Sequence, residues 1–402
     1  MKHFRWFLRY AALLIFLLLT NSTQAQDSAE DTHTNADSVH VSLLTCRPRQ
    51  NIYSLYGHTA IRYEDRRNGI DVAVNYGMFS FSKPFFVLRF VFGLTDYEMG
   101  IEDFEDFKSN YAPSGCGVWQ QELNLTSAEK EALAAAITLN YEPQNRVYRY
   151  NYFYDNCTTR ARDIIARNIN GKINYGAAPE ESPSFRDMIH SYTSKHPWAA
   201  FGNDLLLGVK ADQPTTRSEQ QFLPLNLQED FTHASITAPD GTKRPLVTDE
   251  GWVLRPENNT HDGGFPLAPV QCAVIFAITV AAMTLTEYFT KKNFWGFDAL
   301  LIAADGLCGL ILLAMVFSQH PTVSLNFQIL LLNPLSVVFL WTTVKKIRKG
   351  HISRWIYAWI ICMVLFFLGG IFQTYAEGMY FVASSLLFRY AVKTVQLAQQ
   401  KK

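Results

Sequence analysis

From Pro269 to the C-terminus the chain contains five apolar stretches, at about 269–288, 298–317, 325–343, 353–375 and 378–394. Each approaches the ~20 residues with which a helix crosses the hydrocarbon core of a bilayer. Backbone in lipid must satisfy its own hydrogen bonds, so this pattern predicts an all-α domain of five transmembrane helices over 269–402. The loops set its orientation. "TKKNF" (290–294) and "VKKIRKGHISR" (344–354) are rich in Lys and Arg, and the tail ends in Lys401-Lys402. "SQHPTVS" (318–324) and "AEG" (376–378) contain neither. The positive-inside rule puts the first group in the cytoplasm and the second outside it.

The N-terminus agrees with that orientation. Lys2, Arg5 and Arg9 precede an apolar run from Ala11 to Leu19, and small and polar residues continue up to Ala25. This is the pattern of a signal peptide over 1–25; the alternative is an uncleaved anchor, and either one exports the domain C-terminal to it. The expected order is a soluble periplasmic domain over 26–255, a linker over 256–268 within the polar "RPENNTHDGGFPLAP", and the membrane domain over 269–402. The predicted location is the inner membrane, multi-pass, with the N-terminal domain in the periplasm.

Lys plus Arg equals Asp plus Glu, 36 each, so no bulk basic charge suggests nucleic acid. Cys272, Cys308 and Cys362 fall in the apolar stretches, where packing is the simplest role. The exported part holds Cys46, Cys116 and Cys157. An oxidising compartment can pair two of them, leaving one free thiol. No CxxC or tight His/Cys spacing suggests zinc, and neither a metal nor a cofactor is expected.

Local sequence singles out Cys157. In "NRVYRYNYFYDN" (145–156) Tyr148, Tyr150, Tyr152 and Tyr154 alternate, which predicts a strand. Cys157, Ala161, Ile164 and Ile165 then share one face of a helix ending near Gly171, with Asp155 or Asn156 as its N-cap. A thiol in the first turn of a helix has a lowered pKa, and the thiolate is the nucleophile. A buried cysteine acting as a small hydrophobe is the plainer alternative. In "YSLYGHTAIRYEDRRNGIDVAVNYGMFSF" (53–81), Asn68-Gly69 between alternating runs predicts a hairpin. A two-residue turn there pairs Arg62 with Asn75, Ala60 with Gly77 and His58 with Phe79. One face then joins His58, Arg62 and Asn75 with small residues that leave room for a substrate. Cys157 at a helix start and His58 on a strand form the pair of a papain-like thiol enzyme, with Asn75 as the group that orients the imidazole. In this register Asn75 lies about 13 Å along from His58, too far for a hydrogen bond. A loop centred on Arg66-Arg67 would bring them opposite.

"YGHTAIR" (56–62), "NYGMF" (75–79), "YNYFYDNCTTRARD" (150–163) and "HPTVSLNFQILLLNPL" (320–335) together resemble the Lnb family, lipoprotein N-acyltransferases of Bacteroides and relatives. The resemblance covers nearly the whole exported domain and reaches the third span. More distantly, His before Cys in chain order is similar to the permuted branch of the NlpC/P60 superfamily. It implies an α+β papain-like periplasmic domain with Cys157 as acyl-accepting nucleophile and His58 as base; Asn75 is the third member. It also implies a phospholipid acyl donor, a diacylated lipoprotein acceptor and a membrane setting. The backbone N–H of Cys157 is the expected oxyanion donor, with Tyr56 as a second. Arg62, Arg160 and His320 are further substrate-binding candidates, the last in the loop beneath the soluble domain. The aromatic "FSFSKPFFVLRFVFG" (79–93) is either a lipid-dipping element beside the site or a buried helix. The alternative functions are a membrane-anchored cysteine peptidase or amidase of the cell envelope, and a non-catalytic envelope assembly protein.

Overall fold

The computed structural model describes residues 38–49, 54–79, 84–177, 182–257 and 265–399. The expected signal segment lies outside the described residues. Among them, seven strands form an antiparallel sheet in the order β10-β5-β1-β2-β3-β4-β6: β1 Val39–Cys46, β2 His58–Asp65, β3 Ile70–Met78, β4 Asp96–Asp103, β5 Val118–Leu123, β6 Val147–Arg149 and β10 Val247–Leu254. Three short strands, β7 Lys172–Asn174, β8 Ser235–Thr237 and β9 Lys243–Pro245, pair separately.

The β2–β3 hairpin forms, in a register between the two that the sequence allows. Asp65 pairs with Ile70 and Ala60 with Asn75, so Arg62 lies opposite Ala73. The cause is Asp65, whose carboxylate accepts the N–H groups of Arg67 and Asn68 at 3.1 and 3.2 Å and the Asn68 amide at 2.7 Å. These bonds widen the turn to four residues, closed by Gly69 at φ 63°. The two-residue shift leaves every side chain on its expected face, because strand periodicity is two.

Helices cover both faces of the sheet. α1 Phe86–Val91 is a short helix before β4, and α2 Phe104–Tyr111 buries Phe104 and Phe107 against Leu44, Ala60 and Ala73. On the opposite face, α3 Ser127–Tyr141 and α4 Cys157–Arg167 pack Leu133, Ala161 and Ile165 onto Val41, Leu43, Ile61 and Val74. The expected tyrosine strand is cut short. β6 stops at Arg149, and Asn151 and Asp155 exchange backbone hydrogen bonds across a tight turn, so Tyr152 and Tyr154 leave the sheet. A helical layer comes next: α5 Phe185–Thr193, α6 Pro197–Leu206, α7 Arg217–Gln220 and α8 Pro224–His233.

A helix lies in each of the five apolar stretches: α9 Pro269–Thr290, α10 Trp295–Val316, α11 Leu335–Arg348, α12 Arg354–Gly369 and α13 Met379–Gln399. By length and composition three segments can cross a membrane: α9, α10, and Phe327–Arg348, which includes α11. Five spans were expected. α12 is apolar but has 16 residues, and α13 carries Arg389 and Lys393. These two cations are buried in a closed quartet. Arg389 bonds Asp298 at 2.7 Å and Glu287 at 3.0 Å, while Lys393 bonds the same two at 2.5 and 2.6 Å. Two acids and two bases leave no net charge, and they tie α9, α10 and α13 together.

The soluble and membrane parts are joined by hydrogen bonds to the chain around the end of α6. Asn326 and Gln328 donate to the carbonyls of Leu205 and Asp204, and Gln373 to that of Leu207. The N–H groups of Gly208 and Val209 bond the carbonyls of Thr322 and Leu325. Met315 and Val323 also share a buried cluster with Phe153, Ile189 and Phe222.

Candidate active site

Cys157 is the first residue of α4, and Asn156 is its N-cap. Asn156 accepts the N–H groups of Thr158 and Thr159, both at 2.9 Å, and donates to the carbonyls of Tyr152 and Phe222, also at 2.9 Å. Thr158 meets Thr59 of β2 hydroxyl to hydroxyl at 3.0 Å. The start of the helix is thereby pinned to the end of the strand that carries His58.

Two glycines shape the gap between them. Gly57 has φ 81°, and a Cβ there would lie 2.6 Å from the Cys46 carbonyl, so only glycine makes the turn into β2. Gly77 has φ 94°, and a Cβ would stand 3.6 Å from that of Cys157.

His58 and Cys157 line the same cavity and lie close enough for each to act on the other's ionisation. Nε2 of His58 lies 2.9 Å from Oδ1 of Asn75, leaving Nδ1 for the thiol. The Asn75 amide nitrogen donates to Glu102 at 2.5 Å, and the other Glu102 oxygen accepts from Asn110 at 3.1 Å. This chain fixes the Asn75 amide with its oxygen toward the ring, so Nε2 carries the proton and Nδ1 the lone pair. Glu102 had no signal in the sequence: it sits on β4 and reaches Asn75 only through the β3–β4 ladder, in which Asn75 faces Gly100.

The electrostatics favour a thiolate. Burial opposes ionisation of Cys157, but the charge and hydrogen bond of His58, the Thr59 N–H and the Thr158 hydroxyl outweigh it and lower the thiol to about 7. Burial likewise opposes the His58 cation, and the Cys157 charge, the Cys157 hydrogen bond and Asn75 together raise it. The two groups titrate as one unit. Cys46 and Cys116 behave oppositely, their thiols pushed up first of all by burial. All six cysteines are free in this structure.

The pair opens on a cavity of about 740 Å³, within the size range of small-molecule sites. The sheet domain contributes Tyr56, Tyr97 and Tyr150; the helical layer contributes Leu206 and Phe222. The membrane domain contributes Met315, His320, Thr322 and Val323. Tyr56 accepts a hydrogen bond from Asn203 at 2.8 Å. His320 reaches the Phe90 carbonyl at 3.3 Å, and burial lowers its pKa.

Two of the expected residues face elsewhere. Arg62 is held by both oxygens of Asp71, at 2.7 and 2.8 Å, and by Gln120. It stacks on Phe104, under α2, outside the cavity lining. Arg160 grips Asp155 at 2.6 and 2.8 Å and lies over the Tyr148 ring, lining a separate polar groove. Arg47 and Arg49, which no sequence motif singles out, do line the cavity.

The fold and site define a membrane protein whose extramembrane α+β domain holds a Cys–His–Asn cluster over a membrane-floored cavity. Residues 25–193 match the family model for the Lnb N-terminal periplasmic domain, and residues 259–401 that for the Lnb transmembrane domain. The chain belongs to the Lnb family, and is a membrane protein with a periplasmic domain. No curated protein and no solved structure matches it.

Proposed function

We propose that the protein is a lipoprotein N-acyltransferase that works through a thioester on Cys157. The observation that carries this reading is the electrostatically coupled Cys157–His58 pair, opening on a largely apolar cavity whose floor belongs to the membrane domain. His58 takes the thiol proton, and the sulfur attacks an ester carbonyl of a phospholipid. The oxyanion forms beside the Cys157 N–H, which the Asn156 cap leaves unused by taking the next two. As the C–O bond breaks, the His58 imidazolium protonates the leaving alkoxide, and lysophospholipid departs. The α-amine of a diacylglyceryl-cysteine lipoprotein then attacks the thioester. His58 accepts the amine proton, the C–S bond breaks, and the amide and free thiol remain. An α-amine titrates near pH 8, so a usable fraction is neutral at pH 7. An apolar cavity keeps water from the thioester.

Membrane access fits this chemistry. Phe85 is 77 % exposed and Leu88 is 56 % exposed, and α1 is tied to the outer end of α10 by the Gln319 N–H to Phe92 carbonyl bond at 3.0 Å. Phe317 beside that tie is 72 % exposed. These residues make one apolar surface continuous with the lipid-facing side of α10, so residues 85–94 rest in the bilayer surface next to the cavity. All five helices span the inner membrane in this reading. α13 does so because Glu287 and Asp298 neutralise its two cations.

The test is mass spectrometry of a lipoprotein N-terminus from cells with and without the protein. Triacylated product is expected only with it, and product unchanged on its removal would overturn the reading. The purified protein given phospholipid and no acceptor should gain a hydroxylamine-labile acyl group on Cys157.

A further inference from the structure

The arginines of the soluble domain are, with few exceptions, paired to carboxylates. Arg62, Arg66, Arg89, Arg149, Arg160 and Arg244 each have an Asp or Glu partner. Arg47 and Arg49 do not form an ion pair among the described residues, and both line the cavity of Cys157. Their placement is set by the sheet: β1 ends at Cys46, directly opposite His58, and Arg47 and Arg49 follow within three residues of that strand end. The Arg47 guanidinium lies 5.2 Å from the Trp252 ring centroid. That of Arg49 lies 3.8 Å from the Tyr111 centroid and donates to the Asn110 carbonyl at 2.8 Å. Among the described residues, the Arg49 Nε is buried with no acceptor. The cavity's one carboxylate among its described lining residues, Glu102, is occupied by the amides of Asn75 and Asn110.

Stacking holds these cations in place and leaves donors unused. A buried N–H without an acceptor is costly, so it marks a position where an acceptor belongs. Guanidinium forks match phosphate oxygens geometrically, better than an ammonium does. Arg49 is also near enough to His58 for its charge to act on that ring.

We propose that Arg47 and Arg49 form a phosphate subsite that receives the phosphodiester of a glycerophospholipid and sets its ester against Cys157. This rests on the acyltransferase reading and adds a sorting rule to it. Donor and acceptor both carry a diacylglyceryl group, but only the donor carries a phosphate. The same positive charge disfavours an ammonium, so the acceptor enters with its α-amine neutral, the form that attacks.

The test uses the full-length protein in neutral detergent and needs no turnover. The probes are a short-chain diether glycerophospholipid, which has no ester to cleave, and the matching diether glycerol without phosphate. By titration calorimetry the phosphate-bearing probe should bind about ten-fold more tightly, the yield of one charge-assisted contact. Arg49→Gln should remove most of that difference while binding of the neutral diether is retained, which also reports an intact cavity. Arg49→Lys should recover part of it, and Arg47→Gln should show a smaller loss. A wild-type protein without the preference, or an Arg49→Gln variant that keeps it, overturns the proposal. Inorganic phosphate should compete with the phosphate-bearing probe alone. If it binds by itself as tightly as the lipid, the site serves a free anion and the lipid assignment falls. Should Cys157 never become acylated while the arginine-dependent preference persists, the thioester reading fails and the subsite stands.

Discussion

Asn75 sits opposite Ala60 in the hairpin ladder, yet its side-chain oxygen is 2.9 Å from Nε2 of His58, two residues along the neighbouring strand. The contact is diagonal, and diagonal neighbours meet when the two side chains lean toward each other along the strands. Glu102 accepts from the Asn75 amide nitrogen on the other side, which keeps the amide oxygen turned toward His58.

Asn75→Ala should therefore lower the rate of Cys157 acylation by about 10–100-fold, the usual cost of losing a group that orients a reacting residue. Glu102→Gln should lose less, since Gln can still accept from Asn75 but no longer forbids its amide from turning round. Single-turnover acylation across pH 5–9 reads both effects. A rate that both substitutions leave unchanged excludes the relay.

The hairpin, the helix start at Cys157 and the helices of the apolar stretches were legible because each is written in local periodicity. The register was not, because it depends on one carboxylate: Asp65 caps two N–H groups and widens the turn. The alternation of Tyr148 to Tyr154 suggested one strand, but an Asn151–Asp155 turn divides it. Arginine roles were the least legible. Arg62 and Arg160 stand beside the motifs but are bound to carboxylates, while Arg47 and Arg49 reach the cavity from a strand end. Charge pairing is a tertiary property that no local pattern encodes.

The thiols should separate by pH. Cys157 is lowered to about 7, whereas burial raises Cys46 and Cys116. Iodoacetamide labelling of the folded protein, mapped by mass spectrometry, should mark Cys157 with a midpoint near pH 7 and spare the other two. In His58→Ala the thiolate loses its charge partner, so its pKa rises and the midpoint moves to higher pH. A midpoint that stays put shows that His58 does not stabilise the thiolate.

Phe85→Asp together with Leu88→Asp should lower acylation of Cys157 from phospholipid vesicles several-fold, because two carboxylates are unfavourable at an apolar bilayer surface. Acylation from a monomeric short-chain ester should remain near wild type, which shows that the fold survives. Equal rates with both donors mean that this surface does not meet the bilayer.

In the membrane domain, Arg389→Met leaves Glu287 and Asp298 with Lys393 alone, a buried net negative charge. Breaking a buried pair from one side costs about 3–5 kcal/mol. The thermal transition in detergent should drop accordingly. Adding Asp298→Asn restores a neutral Glu287–Lys393 pair and should recover part of the loss, so the two changes will not add. Strictly additive losses would show that the quartet is not one electrostatic unit.

The last prediction concerns Cys157 and His58 as a unit. Cys157→Ser should abolish N-acylation with the protein still folded and inserted, because a serine hydroxyl is far harder to deprotonate than a thiol already near 7. His58→Ala should fail nearly as badly, since it removes both the base and the charge that holds the thiolate. The double variant should be little worse than either single one, as groups acting in one step are not additive. The hydroxylamine-labile acyl group should be absent from Cys157→Ser and greatly slowed in His58→Ala. Conversion of diacylated to triacylated lipoprotein by purified Cys157→Ser at near the wild-type rate would remove the thioester from the mechanism.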